Sequence, residues 1–153
     1  MIRPLACALC VALPACVSAV PAPRLPTAGG DERTVVAGIN THRERRGCPA
    51  LAWSDAAARS ATLHSADMAR RRYFSHTSPE GSQPWDRLRA EGVAFTRVAE
   101  NIALTQGGDV VRLWLASAGH RANIENCAYT HTGVGTSGGY WTQLFFTPTA
   151  PPR

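Results

Sequence analysis

A zinc-protease signature is missing from the 153 residues: no HExxH occurs. The pattern GxSxG occurs at residues 135–139, but between two strand-like runs and not at a strand-to-helix turn, so there is no nucleophile elbow of the α/β-hydrolase kind. Lysine is missing as well: all 16 basic residues are arginine, set against 11 acidic ones, for a formal charge of +5. No apolar run is long enough to span a bilayer as a helix. At this length one domain is expected, and 44% hydrophobic content is enough to build its core.

What is present begins with a leader. Met1-Ile2-Arg3-Pro4, an apolar stretch over residues 5–15 and the small residues Val17-Ser18-Ala19 read as a secretory signal peptide over residues 1–19. The protein is therefore expected to be secreted or periplasmic. Leu13-Pro14-Ala15-Cys16 also has the outline of a lipobox, in which Cys16 would carry a lipid anchor and the product would be a lipoprotein. Cleavage removes Cys7, Cys10 and Cys16, leaving Cys48 and Cys127. Two cysteines in an exported chain are expected to form a disulfide, with two buried thiols as the alternative. Neither lies in a CxxC, which argues against a metal or redox pair.

Loss of Arg3 would leave a charge near +4. The clusters Arg43-Glu44-Arg45-Arg46 and Arg70-Arg71-Arg72 are accounted for by solvated helix faces, with attraction to an anionic envelope surface as the functional reading. Nucleic acid is not an expected partner of an exported chain.

Residues 20–30 are rich in proline and glycine and read as a linker, so the domain spans residues 31–148 and residues 149–153 are a tail. A helix over 31–46 turns Val35, Val36 and Ile39 to one side and stops at Gly47. A second helix is capped by Ser54, and the spacing of Ala57, Ala61, His64 and Met68 points His64 into the core, as a hydrogen-bonded structural residue or as a ligand. A short helix over 84–92 has Trp85 and Leu88 as its expected anchors. A fourth, strongly apolar helix over 110–115 is expected to end at Gly119, in a left-handed conformation that projects His120. Residues 131–137 and 140–147 read as two strands of a hairpin with a glycine turn. Helices first and strands later imply an α+β fold.

Candidate functional residues stand outside these patterns. His76 sits in a turn-forming stretch behind Tyr73 and Phe74, where a loop histidine suits binding as well as plain exposure. Glu100 lies among Val98, Ala99, Ile102 and Ala103, so it either faces outward from an edge strand or is buried with a cation, a metal or hydrogen-bond donors. Gly135-Thr136-Ser137-Gly138-Gly139 resembles a protease nucleophile loop, but the chain is too short for two barrels and a hairpin turn explains these glycines.

Taken together, His64-Ser65-Ala66-Asp67-Met68-Ala69, Tyr73-Phe74-Ser75-His76, Ala99-Glu100-Asn101-Ile102-Ala103, the run from Trp114 to Ile124, Gly133-Val134-Gly135 and Tyr140-Trp141-Thr142-Gln143 resemble the bacterial branch of the CAP superfamily (cysteine-rich secretory proteins, antigen 5 and pathogenesis-related 1), or SCP-like domains, over about residues 35–147. The resemblance implies a three-layer α-β-α sandwich with a small, mainly antiparallel central sheet and a cleft that can hold a divalent ion. Position by position it implies His76, Glu100 and His120 as metal-site residues, with Ser117, His64 and Asn101 as cleft neighbours. Ser117 stands three residues past Trp114, where the family has a second glutamate, and Ala99 replaces a glycine.

Two imidazoles and a carboxylate make a common zinc shell with an open water position, so zinc is the candidate cofactor. The expected function is a non-enzymatic module that binds a metal or small ligand, with an envelope or host component as partner. A metal-assisted or Ser-His-Glu hydrolase using the same cleft is the alternative. A purely structural or adhesive domain is the third reading.

Overall fold

The computed structural model describes residues 30–106 and 109–149. The signal peptide, the Cys16 lipobox, nearly all of the linker and residues 150–153 lie outside the described residues. Elements follow in the order α1 (Gly30–Arg45), β1 (Ala52–Trp53), α2 (Asp55–Arg71), α3 (Pro84–Ala90), β2 (Phe95–Leu104), α4 (Val110–Ala116), α5 (Ala118–Ile124), β3 (His131–Ser137) and β4 (Tyr140–Pro148). The strands form one sheet in the order β1-β3-β4-β2, parallel between β1 and β3 and antiparallel elsewhere. The fold is the expected α+β sandwich, with β2 as an edge strand.

Register divides the residues between two layers. Gly133, Leu144 and Glu100 are cross-strand neighbours, as are Gly135, Thr142 and Ile102, and side chains in such rows share a face. This face takes α2 and α3, through Ala57, Leu88, Leu144 and Phe146. Its glycines let α2 lie almost on the strand, and Ser65 Oγ fixes the contact by donating to Gly135 O at 3.0 Å while lying 2.9 Å from the hydroxyl of Thr142. The alternate residues, Ala103 and Phe145 among them, meet Ile39, Trp114 and Ile124 of α1, α4 and α5. Each fully buried side chain of this size contributes about 1.5–3 kcal/mol.

Local signals account for the boundaries. Ser54 Oγ accepts from Ala57 N and starts α2, and an alanine-rich run carries the helix to Arg72, which caps it in the left-handed region. Gly138 and Gly139 both have positive φ, as a tight hairpin turn between β3 and β4 requires. Cys48 and Cys127 are joined in the expected disulfide, which closes a loop of 79 residues. On chain-entropy grounds it destabilises the unfolded state by roughly 4 kcal/mol.

Three expectations are corrected. Trp85 is 43% exposed and is not part of the core, because Pro84, Arg87 and Leu88, at spacings of three and four from Pro84, take the inward side of the short α3. Gly119 does not stop a helix. The break falls at Ser117, whose extended backbone (φ −89°, ψ 125°) both ends α4 and begins α5, so Gly119 and His120 lie inside the next helix. Arg43 is not on a solvated face but fully buried.

Candidate functional site

The loop between α2 and α3 carries His76, and buried side chains tie it down from both sides. Tyr73 folds back over α2, where its hydroxyl donates to Asp67 Oδ2 at 2.8 Å and its ring meets His64 edge-on. Burial first, and then the Asp67 carboxylate, pushes the Tyr73 hydroxyl up to about 12, so it stays a donor. His64 reaches the loop from α2, with Nε2 3.0 Å from Ser75 O. Arg87 reaches it from α3 and donates through Nη2 to His76 O at 3.0 Å and through Nη1 to Ser82 O at 2.8 Å.

Glu100 lies beneath this loop with its side chain only 1% exposed. The burial reading therefore holds, and the carboxylate has three cationic or ring-nitrogen neighbours. Oε2 accepts from Arg87 Nη2 at 2.7 Å, Oε1 is 2.9 Å from His76 Nδ1, and His64 Nε2 is 3.9 Å from Oε1. An isolated carboxylate in such a place costs several kcal/mol, and a fork-shaped guanidinium offsets that cost. Because Nδ1 of His76 addresses Glu100, its Nε2 lies on the other side of the ring, on a side chain that is 49% exposed.

His120 approaches from the opposite layer. Asn101 points away from Glu100 along the strand and donates from Nδ2 to His120 O at 3.1 Å, while its Oδ1 accepts from Asn123 Nδ2 at 2.9 Å. The same Asn123 amide lies 3.4 Å from Glu100 O, so α5 is sewn onto the edge strand just where the carboxylate sits. Arg121 Nη1 donates to Leu115 O at 2.8 Å and closes the end of α4 across the Ser117 break. His120 is half-buried; burial first and then the charge of His76 lower its pKa. Among the described residues no hydrogen bond joins the His120 ring to Glu100 or His76.

Sequence reasoning thus named His76, Glu100, His120, His64 and Asn101, and the structure gathers them around the edge of β2. Ser117 parts two helices, ending α4 and beginning α5. Arg87 and Asn123 were not named. Arg87 was detectable: it falls between the inward Pro84 and Leu88 of a short helix, and an apolar-flanked Glu100 required a cation.

Both oxygens of Glu100 are engaged, and a guanidinium touches one of them. Among the described residues no group of three or more His, Cys, Asp or Glu is placed to hold a metal ion.

Residues 36–147 match the family model described as the cysteine-rich secretory protein family, CAP. The chain belongs to the CAP family. Two curated proteins of Bacillus subtilis (strain 168) are similar to this CAP domain. An uncharacterised protein, YkwD, is 39% identical over 118 residues, covering 74% of this chain and 46% of its own length. An uncharacterised membrane protein, YlbC, is 39% identical over 116 residues, covering 74% and 34%. The chain therefore spans less than half the length of either. Among solved structures, an extracellular SCP-domain protein of Bacillus anthracis str. Ames superposes with a TM-score of 0.73 at 38% identity, over 77% of this chain and 40% of that one. An outer surface protein of Borrelia burgdorferi shares the fold, with a TM-score of 0.70 at 20% identity over 76% of this chain and 92% of that one.

The CAP site's histidines set a pH dependence. His64, like His120, has a pKa below the 6.5 of a free imidazole, through burial first, with Glu100 opposing and Arg87 reinforcing the shift. With the folded value depressed, the unfolded chain takes up its proton first as pH falls. The stability this group contributes is complete above about 6.5 and is lost as pH drops through the folded value. Tm should therefore fall on going from about pH 7 to 5. His64→Gln, which keeps a donor for Ser75 O but does not titrate, should flatten that slope; an unchanged slope would assign it elsewhere.

Proposed function

We propose that this CAP domain is an exported binding module whose cleft takes a small polar ligand between His76 and His120, without turning it over. The observation that supports it most directly is the engagement of both oxygens of Glu100. A carboxylate paired with the Arg87 guanidinium on one oxygen and with His76 Nδ1 on the other is a poor base for activating water, and serves to aim His76 Nε2 outward. Export fits the disulfide. It also fits the extracellular protein to which the domain is similar.

The test is a thermal-shift screen of the purified domain with small carboxylates, amino sugars and divalent chlorides, followed by calorimetry on each hit. A ligand of this cleft stabilises the wild type and loses at least about tenfold in affinity in both His76→Ala and His120→Ala, which each remove a direct polar contact. Hits indifferent to both substitutions would remove the cleft from the function.

A hydrolase is the second reading, favoured by the His76–Glu100 pair itself, which has the geometry of a general base and its orienting carboxylate. Turnover of peptide, ester or peptidoglycan substrates, abolished by His76→Ala and sharply reduced by Glu100→Gln, would establish it in place of simple binding.

A further inference from the structure

We propose that Arg87 determines what the cleft accepts: its guanidinium is a built-in cation on Glu100, so that Glu100 serves His76 as a hydrogen-bond partner and is withheld from divalent ions. The inference rests on the His76–His120 cleft being the ligand site.

The geometry is specific. Arg87 Nη2 lies 2.7 Å from Glu100 Oε2 and 3.0 Å from His76 O, and Nη1 lies 2.8 Å from Ser82 O, so one planar group holds both the carboxylate and the loop that carries His76. The arginine side chain is 13% exposed and the glutamate 1%, which places the pair where screening by water is weak. With neutral imidazoles the charges of Arg87 and Glu100 cancel. A dication entering between His76 and His120 would therefore meet no net negative charge, and it would approach a fixed positive one. Coordination through Glu100 would first require breaking a charge-assisted bond to a group that has no other carboxylate within bonding distance among the described residues. Take the guanidinium away and the same three side chains become an anionic His-His-Glu set, the kind of donor set that binds zinc.

Arg87 is thus a specificity-determining residue acting through Glu100, and its removal should raise metal affinity, whereas loss of a merely structural residue lowers it. The experiment is zinc chloride titration by calorimetry on wild type, Glu100→Gln, Arg87→Gln and the isosteric neutral pair Arg87→Gln/Glu100→Gln, with a thermal melt of each. Expected are a wild-type affinity that the charge-matched double variant changes by less than about threefold, and a gain of at least about tenfold in Arg87→Gln that the double variant abolishes, in line with the loss of one opposing charge; Glu100→Gln, which leaves Arg87 uncompensated, should lower the affinity. A loss of tenfold or more in the double variant relative to wild type would overturn the proposal, because Glu100 would then be a ligand. So would a folded Arg87→Gln without any gain. Should Arg87→Gln not fold, the comparison of the double variant with wild type decides. Zinc uptake that His76→Ala and His120→Ala leave intact would sink the cleft reading itself, a different outcome from loss of the Arg87 effect at a histidine-dependent site.

Discussion

Gly135→Ala will cost the fold about 3 kcal/mol or more, read as a fall in Tm of roughly 10 °C. An ideal Cβ at Gly135 would stand 2.2 Å from Thr62 N, 2.4 Å from Thr62 Oγ1 and 2.5 Å from Thr62 Cα. At Gly133 it would stand 2.2 Å from Ala58 N and 2.4 Å from Ala57 C. These obstacles are mainly helix backbone, which cannot swing aside as a side-chain tip can. To admit a methyl group α2 would have to lift from β3, and the lift would open the Ser65 Oγ bonds to Gly135 O and Thr142 Oγ1. Gly119→Ala is the control. It lies inside α5 with nothing within 4 Å of an added Cβ, so it should be neutral or stabilise slightly, by about 0.5–1 kcal/mol. Equal effects from the two substitutions in thermal melts would refute close helix–strand packing as the reason for Gly135.

The contrast between these glycines shows how much of the fold was readable. Gly133-Val134-Gly135 sits at strand spacing, and the helix that meets it is alanine-rich, so close contact follows from pattern. The hairpin, the Ser54 cap and the inward His64 follow in the same way from local chemistry. Gly119 misled because a glycine after an apolar run looks like a helix stop, whereas the stop is set by the backbone of Ser117 and by Arg121 reaching back to Leu115 O. In the site, His76, Glu100 and His120 were legible as residue types. The partners that fix their roles were not: Arg87 and Asn123 act across 13 and 22 residues of chain, on Glu100 and Asn101 respectively, and no local pattern specifies such a pairing. Arg87 is the consequential omission, since it changes Glu100 from an open donor into half of an ion pair.

The same limitation governs Arg43, where the second large effect is expected. In sequence it is one charge in Arg43-Glu44-Arg45-Arg46; in the structure it is fully buried and donates to four backbone carbonyls. Nε reaches Pro49 O at 3.1 Å, Nη1 reaches Ile124 O and Asn126 O at 2.7 and 3.0 Å, and Nη2 reaches Tyr129 O at 3.0 Å. Burial lowers its pKa, but a guanidinium remains charged at any working pH. One side chain thus satisfies the C-terminal carbonyl of α5 and the irregular turn behind it, and it holds both against α1. Arg43→Met, of similar length but without donors, should cost about 3–5 kcal/mol in urea unfolding, because several carbonyls lose their partner inside the protein. Arg43→Lys should fall between wild type and Arg43→Met, since an ammonium cannot spread its three donors over the positions that the planar fork reaches. The Cys48–Cys127 bond still tethers the turn in both variants, so each should fold and give a measurable transition. A loss below about 1 kcal/mol in Arg43→Met would mean that water replaces the guanidinium at these carbonyls, and that α5 with His120 is held from Asn101 and Asn123 alone.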